Sequence, residues 1–311
     1  MTELMVQTDG LTKRYGSGDH RRLAVDSVSM TVRRGEVYGF LGPNGAGKTT
    51  TLRMMLGLVR PTAGSVSVLG RPAGRPEVTA RVGALVEGPG FYPFLTGRDN
   101  LLVMARYRGL PERVVDAALE RVDLADRGDD RFKSYSLGMK QRLGVASALM
   151  GDPNLIVLDE PTNGLDPAGM ADMRALIVAL ARGGQTVLLS SHLLAEVQEI
   201  CDRVGVIDNG RLLRESTVAD LRGSASLRLR AEPVDRALAV AMRVAGDDGV
   251  RVLGDELVLE LPATAAPGLV RDLVAARVDV HEVASRERTL EEVFFEMTTT
   301  HRNDETEEAL R

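Results

Sequence analysis

G-P-N-G-A-G-K-T-T, residues 42–50, is the stretch on which the fold turns. Before it, V-Y-G-F-L (37–41) is continuously apolar and predicts a buried strand. After it, T-L-R-M-M-L-G-L (51–58) carries Leu52, Met55, Leu56 and Leu58 at the spacing of a helix packed on a sheet. A strand, a glycine-rich loop and a helix in that order fit G-x-x-x-x-G-K-[ST], with Gly42, Pro43, Asn44, Gly45, Ala46, Gly47, Lys48 and Thr49 in the pattern and Thr50 next. Small residues let successive backbone N–H groups wrap a phosphate chain, and the helix N-terminus adds positive potential. Lys48 is expected to neutralise β- and γ-phosphate oxygens, and the Thr49 hydroxyl to bind Mg²⁺.

Upstream, S-V-S-M-T-V (27–32) alternates with period two and predicts a strand. Downstream, Pro111 opens a segment with Val114, Val115, Ala118, Leu119 and Val122 at helical spacing. L-I-V-L-D-E (155–160) then reads as a parallel strand buried on both faces and ending in two carboxylates. Met170, Met173, Leu176, Ile177 and Leu180 share a helix face; T-V-L-L-S-S-H (186–192) is a strand and L-L-A-E-V-Q-E-I-C (193–201) a helix. V-G-V-I-D-N-G-R-L-L (204–213) is a hairpin turning at Asn-Gly. Strands alternating with helices predict an α/β domain over 1–222. After Arg222-Gly223-Ser224 the pattern restarts as βαββαβ, a ferredoxin-like order, over 223–300. Leu290, Val293, Phe294 and Met297 give 289–297 an apolar face, and 301–311 reads as a disordered polar tail.

Composition removes several classes of function. With 39 Lys+Arg against 44 Asp+Glu the net charge is −5, and there is no Trp among few aromatics, so a nucleic-acid coat or a base-stacking platform is not expected. The single Cys201 cannot form an intrachain disulfide, belongs to no metal-spaced cluster, and reads as a small buried hydrophobe. The acidic opening M-T-E-L-M-V-Q-T-D-G is not a secretion signal, and the longest apolar runs are far short of the roughly 20 residues of a membrane span. The expected location is cytoplasmic, with any membrane crossing left to another chain.

Asp159 lies 111 residues after Lys48, at the end of a strand that a parallel sheet can set beside the glycine loop. Asp159 is expected to hold Mg²⁺ through water and Glu160 to polarise an attacking water. P-T-N-G-L-D-P (161–167) follows at once. At these residues the chain resembles the nucleotide-binding subunit of ABC transporters, a P-loop NTPase cassette in which a β-sheet core carries a helical subdomain. The resemblance covers residues 1 to about 222. It implies ATP and Mg²⁺ as cofactors and assigns Tyr15, in L-T-K-R-Y-G, to stacking on adenine. It aligns Y-S-L-G-M (135–139) with the signature L-S-G-G-Q; Ser136 and Gly138 are kept, while Leu137 and Met139 depart from it. It gives Asp166 to the loop that joins two sites across a dimer, and makes His192 the switch histidine.

Where most cassettes have a Gln that joins Mg²⁺ and water, R-V-G-A-L-V-E-G-P-G (81–90) offers Glu87, a carboxylate that would tie hydrolysis more closely to the metal. E-G-P-x-F-Y-P-x-L-T together with S-L-G-M-K-Q-R-L-G resembles the ATPases of bacitracin, lantibiotic and drug exporters. The resemblance implies a second cassette, a homodimer in the simplest case, and a separate membrane permease that holds the chain at the inner face of the membrane. Phe91, Tyr92 and Phe94 fall where the permease is met. Two other readings stay open: an importer ATPase whose C-terminal domain is regulatory, and a soluble non-transport cassette. Against the latter, 88 residues between Lys48 and Ser136 leave no room for a long coiled-coil insertion, and there is one cassette in the chain.

Overall fold

The computed structural model describes residues 3–16, 21–222 and 226–286, so the expectations for 289–297 and 301–311 lie outside the described residues. The chain divides into two compact units, Met1–Thr217 and Val218–Arg311.

The first unit opens with β1 (Leu4–Tyr15), β2 (Arg22–Val28), β3 (Thr31–Arg33) and β4 (Val37–Leu41), followed by α1 (Lys48–Met55). Next come β5 (Ala63–Val68), β6 (Arg71–Pro72), α2 (Pro76–Thr79), β7 (Val82–Leu85), α3 (Gly97–Tyr107), α4 (Arg113–Arg121) and α5 (Leu137–Leu149). It closes with β8 (Leu155–Asp159), α6 (Pro167–Arg182), β9 (Thr186–Ser191), α7 (Leu194–Ile200), β10 (Arg203–Asp208) and β11 (Arg211–Thr217). The central sheet has the order β11-β10-β4-β9-β8-β7, parallel except for the β10–β11 hairpin. β4, β8, β9 and β10 are buried along their whole length, which is why they read as unbroken apolar runs. β4, β9 and β8 are neighbours, so the residues leaving their C-terminal ends emerge side by side, where α/β sheets bind ligands. A second, antiparallel sheet, β2-β1-β5-β6 with β3 also on β1, packs over α1 around Leu11, Val28, Leu52 and Met54. Helices α3, α4 and α5 contact one another and form the helical subdomain.

Two local expectations are corrected. The single strand expected over 27–32 is broken: Ser27 has φ +52, and the chain resumes pairing only at Thr31. The Thr8 hydroxyl fills the gap, donating to Val28 O at 2.9 Å and accepting from Met30 N at 2.9 Å. A side chain thus replaces a rung of the ladder, which alternation cannot reveal. Leu58, expected on the helix face, lies beyond α1 and is exposed, because the chain leaves the helix at Gly57 with φ +72.

The second unit comprises α8 (Val218–Arg222), β12 (Ser226–Glu232), α9 (Val234–Ala245), β13 (Val250–Leu253), β14 (Glu256–Leu259), α10 (Ala266–Ala275) and β15 (Asp279–Arg286). Its antiparallel sheet runs β13-β14-β12-β15, with Leu227, Leu229, Leu257 and Leu259 packed against Ala237, Ala241, Leu269 and Leu273.

At the end of the central sheet away from the glycine loop, buried Arg203 joins β10 to its surroundings. Its guanidinium lies 2.9 Å from Glu36 Oε1 and 3.0 Å from Glu215 Oε1, and donates to Thr31 O at 3.1 Å; Tyr38 donates its hydroxyl to the same Glu215 oxygen at 3.0 Å. Replacing Arg203 with Ala leaves two carboxylates without their cation and is expected to lower the unfolding free energy by about 3–5 kcal/mol, measured by urea denaturation. Arg203→Lys keeps the charge without the fork and should recover less than half of the loss.

Candidate functional site

The glycine loop is shaped by what a side chain would strike. A Cβ on Gly42 would lie 2.2 Å from Ile207 O, and one on Gly47, where φ is +106, would lie 2.4 Å from Ala24 O. Only glycine fits at either place, and the turn it permits starts α1 at Lys48 with N–H groups facing outward. A cavity of about 240 Å³ opens there, lined by Tyr15, Arg22, Ala24, Asn44, Gly45, Gly47, Lys48, Thr49, Thr50 and Glu160.

Lys48 is 5% exposed. Its ammonium donates to Gly42 O at 2.6 Å and Pro43 O at 3.1 Å, and lies 3.0 Å from Glu160 Oε1. The other oxygen, Glu160 Oε2, is 2.6 Å from His192 Nδ1. Strand ends from β4, β8 and β9 therefore converge on one carboxylate. Glu160 holds a left-handed φ of +50, a conformation an ordinary residue keeps only when its surroundings enforce it. Ser190 supplies that constraint: its hydroxyl accepts from Glu160 N at 3.0 Å and donates to Asp159 Oδ1 at 2.5 Å.

Asp159 is buried at the end of β8, and Thr49, in the first turn of α1, lines the cavity. Among the described residues there is no cluster of three or more His, Cys, Asp or Glu that could hold a metal. A carboxylate beside Glu160 and a hydroxyl on the cavity wall are nevertheless donor types suited to Mg²⁺, which binds through few protein oxygens and completes its shell with phosphate and water.

Other expected residues lie elsewhere. Ser136 caps α5, accepting from Met139 N at 3.2 Å, and Asp166 caps α6, accepting from Gly169 N at 3.2 Å. Leu137 lies against Gly164 and Leu165 against Gly138, so these two loops are neighbours, and none of Ser136, Gly138 and Asp166 lines the chain's own cavity. Glu87, at φ +64, turns outward to an ion pair with Arg53 and is also absent from the cavity wall. The aromatic trio divides. Phe91 packs edge-on against Phe132 at 5.4 Å, whereas Tyr92 and Phe94 pair with each other at 5.7 Å and are 52% and 66% exposed. Asn100 steadies this segment, accepting from Tyr92 N at 2.8 Å. Cys201 is buried, and burial pushes its thiol well above the ordinary range.

Sequence reasoning missed Arg22, Ala24, Ser190 and Glu196. Ser190 sits in the quoted L-L-S-S-H, where a hydroxyl at a buried strand end is a signal in itself. Glu196 on α7 is wholly buried and accepts from the Ser191 hydroxyl at 2.6 Å, which ties α7 to the strand end that leads into His192. Its Oε1 has no partner. Burial raises its pKa above the ordinary 4.5, opposed by the Ser191 hydrogen bond. A proton that the fold keeps and the unfolded chain has lost means stability that is full below the ordinary value and declines as pH rises through the raised one. Glu196→Gln carries no such penalty, so its melting temperature relative to wild type is expected to rise as pH is raised above the ordinary carboxyl value. A difference that stays constant with pH, in thermal denaturation, would refute this.

The protein-family model described as "ABC transporter" matches residues 25–163. The bacitracin transport ATP-binding protein BcrA of Bacillus licheniformis is 39% identical over 300 residues, covering 94% of this chain and 97% of the relative. The daunorubicin resistance ATP-binding protein DrrA3 of Streptomyces coeruleorubidus is 38% identical over 318 residues, covering 96% and 97%. A solved structure of an ATP-binding subunit of an ABC transporter superposes with a TM-score of 0.62 at 29% identity, covering 70% of this chain and 92% of that one.

Proposed function

The chain belongs to the ABC transporter family, and from that membership we propose that it is the ATP-hydrolysing subunit of an exporter that moves a peptide antibiotic, a drug or a lipid-like compound through a separate permease. The observation that carries the reading is Glu160, held between Lys48 and His192 at the mouth of a phosphate-sized cavity. Relatives named for bacitracin transport and daunorubicin resistance, matched over nearly their full length, support the cargo class.

ATP enters with adenine against Tyr15 and its phosphates along 42–50. The phosphates draw Lys48 away from Glu160, and the freed Glu160 oxygen takes a proton from water as the water attacks the γ-phosphorus and the β–γ bridging bond breaks, giving ADP and phosphate. His192 keeps the other Glu160 oxygen oriented. Thr49 and Asp159 are the residues that would hold Mg²⁺, which when bound neutralises charge on the phosphates. Glu87 joins that shell only by leaving Arg53.

Ser136 and Asp166 are exposed capping residues and Gly138 is half-buried in the first turn of α5, all three outside the chain's own cavity, which suits donors to a partner's ATP; we read the working unit as a dimer of cassettes. No helix among the described residues is long and apolar enough to cross a membrane, in keeping with a peripheral subunit on the inner face. Exposed Tyr92 and Phe94, with Phe91 fastening their segment to the helical subdomain, are the proposed permease contact. The unit over 223–300 is proposed to be ferredoxin-like, since its sheet order β13-β14-β12-β15 is that of an antiparallel βαββαβ sandwich.

Mg²⁺-dependent phosphate release by the purified protein tests the reading. Glu160→Gln is expected to lower turnover about 10²- to 10⁴-fold and to elute from size exclusion as an ATP-stabilised dimer. Wild-type protein that neither binds nor hydrolyses ATP would overturn the proposal. Tyr92→Ala with Phe94→Ala is expected to preserve ATP binding while abolishing co-purification with the membrane permease that wild type captures; retention of the permease would sink the contact.

A further inference from the structure

β1 and β2 form an antiparallel pair in which Tyr15 stands opposite Arg22. Directly opposed residues project from the same face of a ladder, so the ring and the guanidinium stand side by side, and both line the phosphate cavity. Arg22 extends from there toward the glycine loop: its Nη2 comes within 4.0 Å of where a Cβ on Gly45 would sit. The cavity wall contains two cations and one anion. The anion, Glu160, is already engaged by Lys48 and His192. Arg22 has no hydrogen bond or ion pair among the described residues. An arginine fork that faces the tip of a phosphate-binding loop and has no anion of its own is placed for phosphate oxygens, which it can meet in bidentate fashion.

We propose that Arg22 is a nucleotide-binding residue that grips the phosphate chain beside Gly45, so that one hairpin supplies both the ring for the base and a second cation for the phosphates. This rests on the reading of the cavity as an ATP site and adds to it. Lys48, buried behind the loop, meets the phosphates from the sheet side; Arg22 meets them from the open side. The encounter with a highly charged ligand then begins at an accessible cation before the buried one exchanges its carboxylate partner.

The test separates phosphate from base. Binding of ATP, of inorganic tripolyphosphate and of adenosine to the purified full chain is measured for wild type, Arg22→Ala, Arg22→Lys, Tyr15→Ala and Lys48→Ala, with melting curves to establish that each variant is folded. Arg22→Ala is expected to weaken ATP and tripolyphosphate about tenfold each, with adenosine unchanged. Arg22→Lys should recover part of the loss, and Tyr15→Ala should weaken ATP and adenosine but not tripolyphosphate. Wild-type affinity for tripolyphosphate in Arg22→Ala, or an equal loss for adenosine, would overturn the assignment. If wild type binds neither ATP nor tripolyphosphate, or Lys48→Ala binds both as wild type does, the ATP-site reading itself fails and the assignment with it.

Discussion

A nearly buried ammonium group must be surrounded by oxygens, and the site is organised by how Lys48 meets that demand. Two loop carbonyls and one oxygen of Glu160 take its protons. That arrangement requires β4 and β8 to end at the same level of the sheet with only β9 between them, which their parallel registers provide. It also requires the chain to turn sharply at Gly42 and Gly47, where any Cβ would strike a backbone carbonyl. The glycine loop, the acidic strand end and the histidine after β9 are three parts of one electrostatic solution. A ligand that brings several anionic oxygens is the natural substitute for Glu160, because it satisfies Lys48 better than one carboxylate can and leaves that carboxylate available.

Much of this was legible in the sequence because the signals were local. Residues 42–50 announce a phosphate loop through spacing alone, and the apolar runs at 37–41, 155–159 and 186–191 announce strands buried on both faces. Asn209-Gly210 gave the hairpin, and the structure has both residues at positive φ. In the second unit β12 alternates along much of its length, and α9 and α10 each bury one face through Ala237, Val240 and Ala241 and through Leu269 and Leu273.

What the sequence hid depends on partners far along the chain. No alternation rule anticipates that Thr8 will stand in for a ladder rung between Val28 and Met30, because the hydroxyl and the gap it fills are about 20 residues apart. Arg203 looks like a surface residue until Glu36, Glu215 and Thr31 are brought round it. Arg22 was unreadable for a related reason: its importance follows from standing opposite Tyr15, and the length of the connection between them sets that register without any motif to mark it. Glu87 shows the converse. A position inferred from a family pattern carries a side chain whose direction is decided by its own neighbours, here Arg53.

The buried carboxyl of Glu196 shows how the segment carrying His192 is held in place. Ser191 precedes His192, and its hydroxyl donates to the buried Glu196 carboxyl at 2.6 Å. A charged carboxylate there would add a second negative group near Glu160 in a region that water does not screen, and its repulsion would fall on the pair that faces ATP. Burial and the nearby Glu160 charge both raise its pKa above the ordinary carboxyl value. The helix after His192 therefore braces the strand end that carries His192, and so the oxygen of Glu160 that His192 meets, through a buried hydrogen bond.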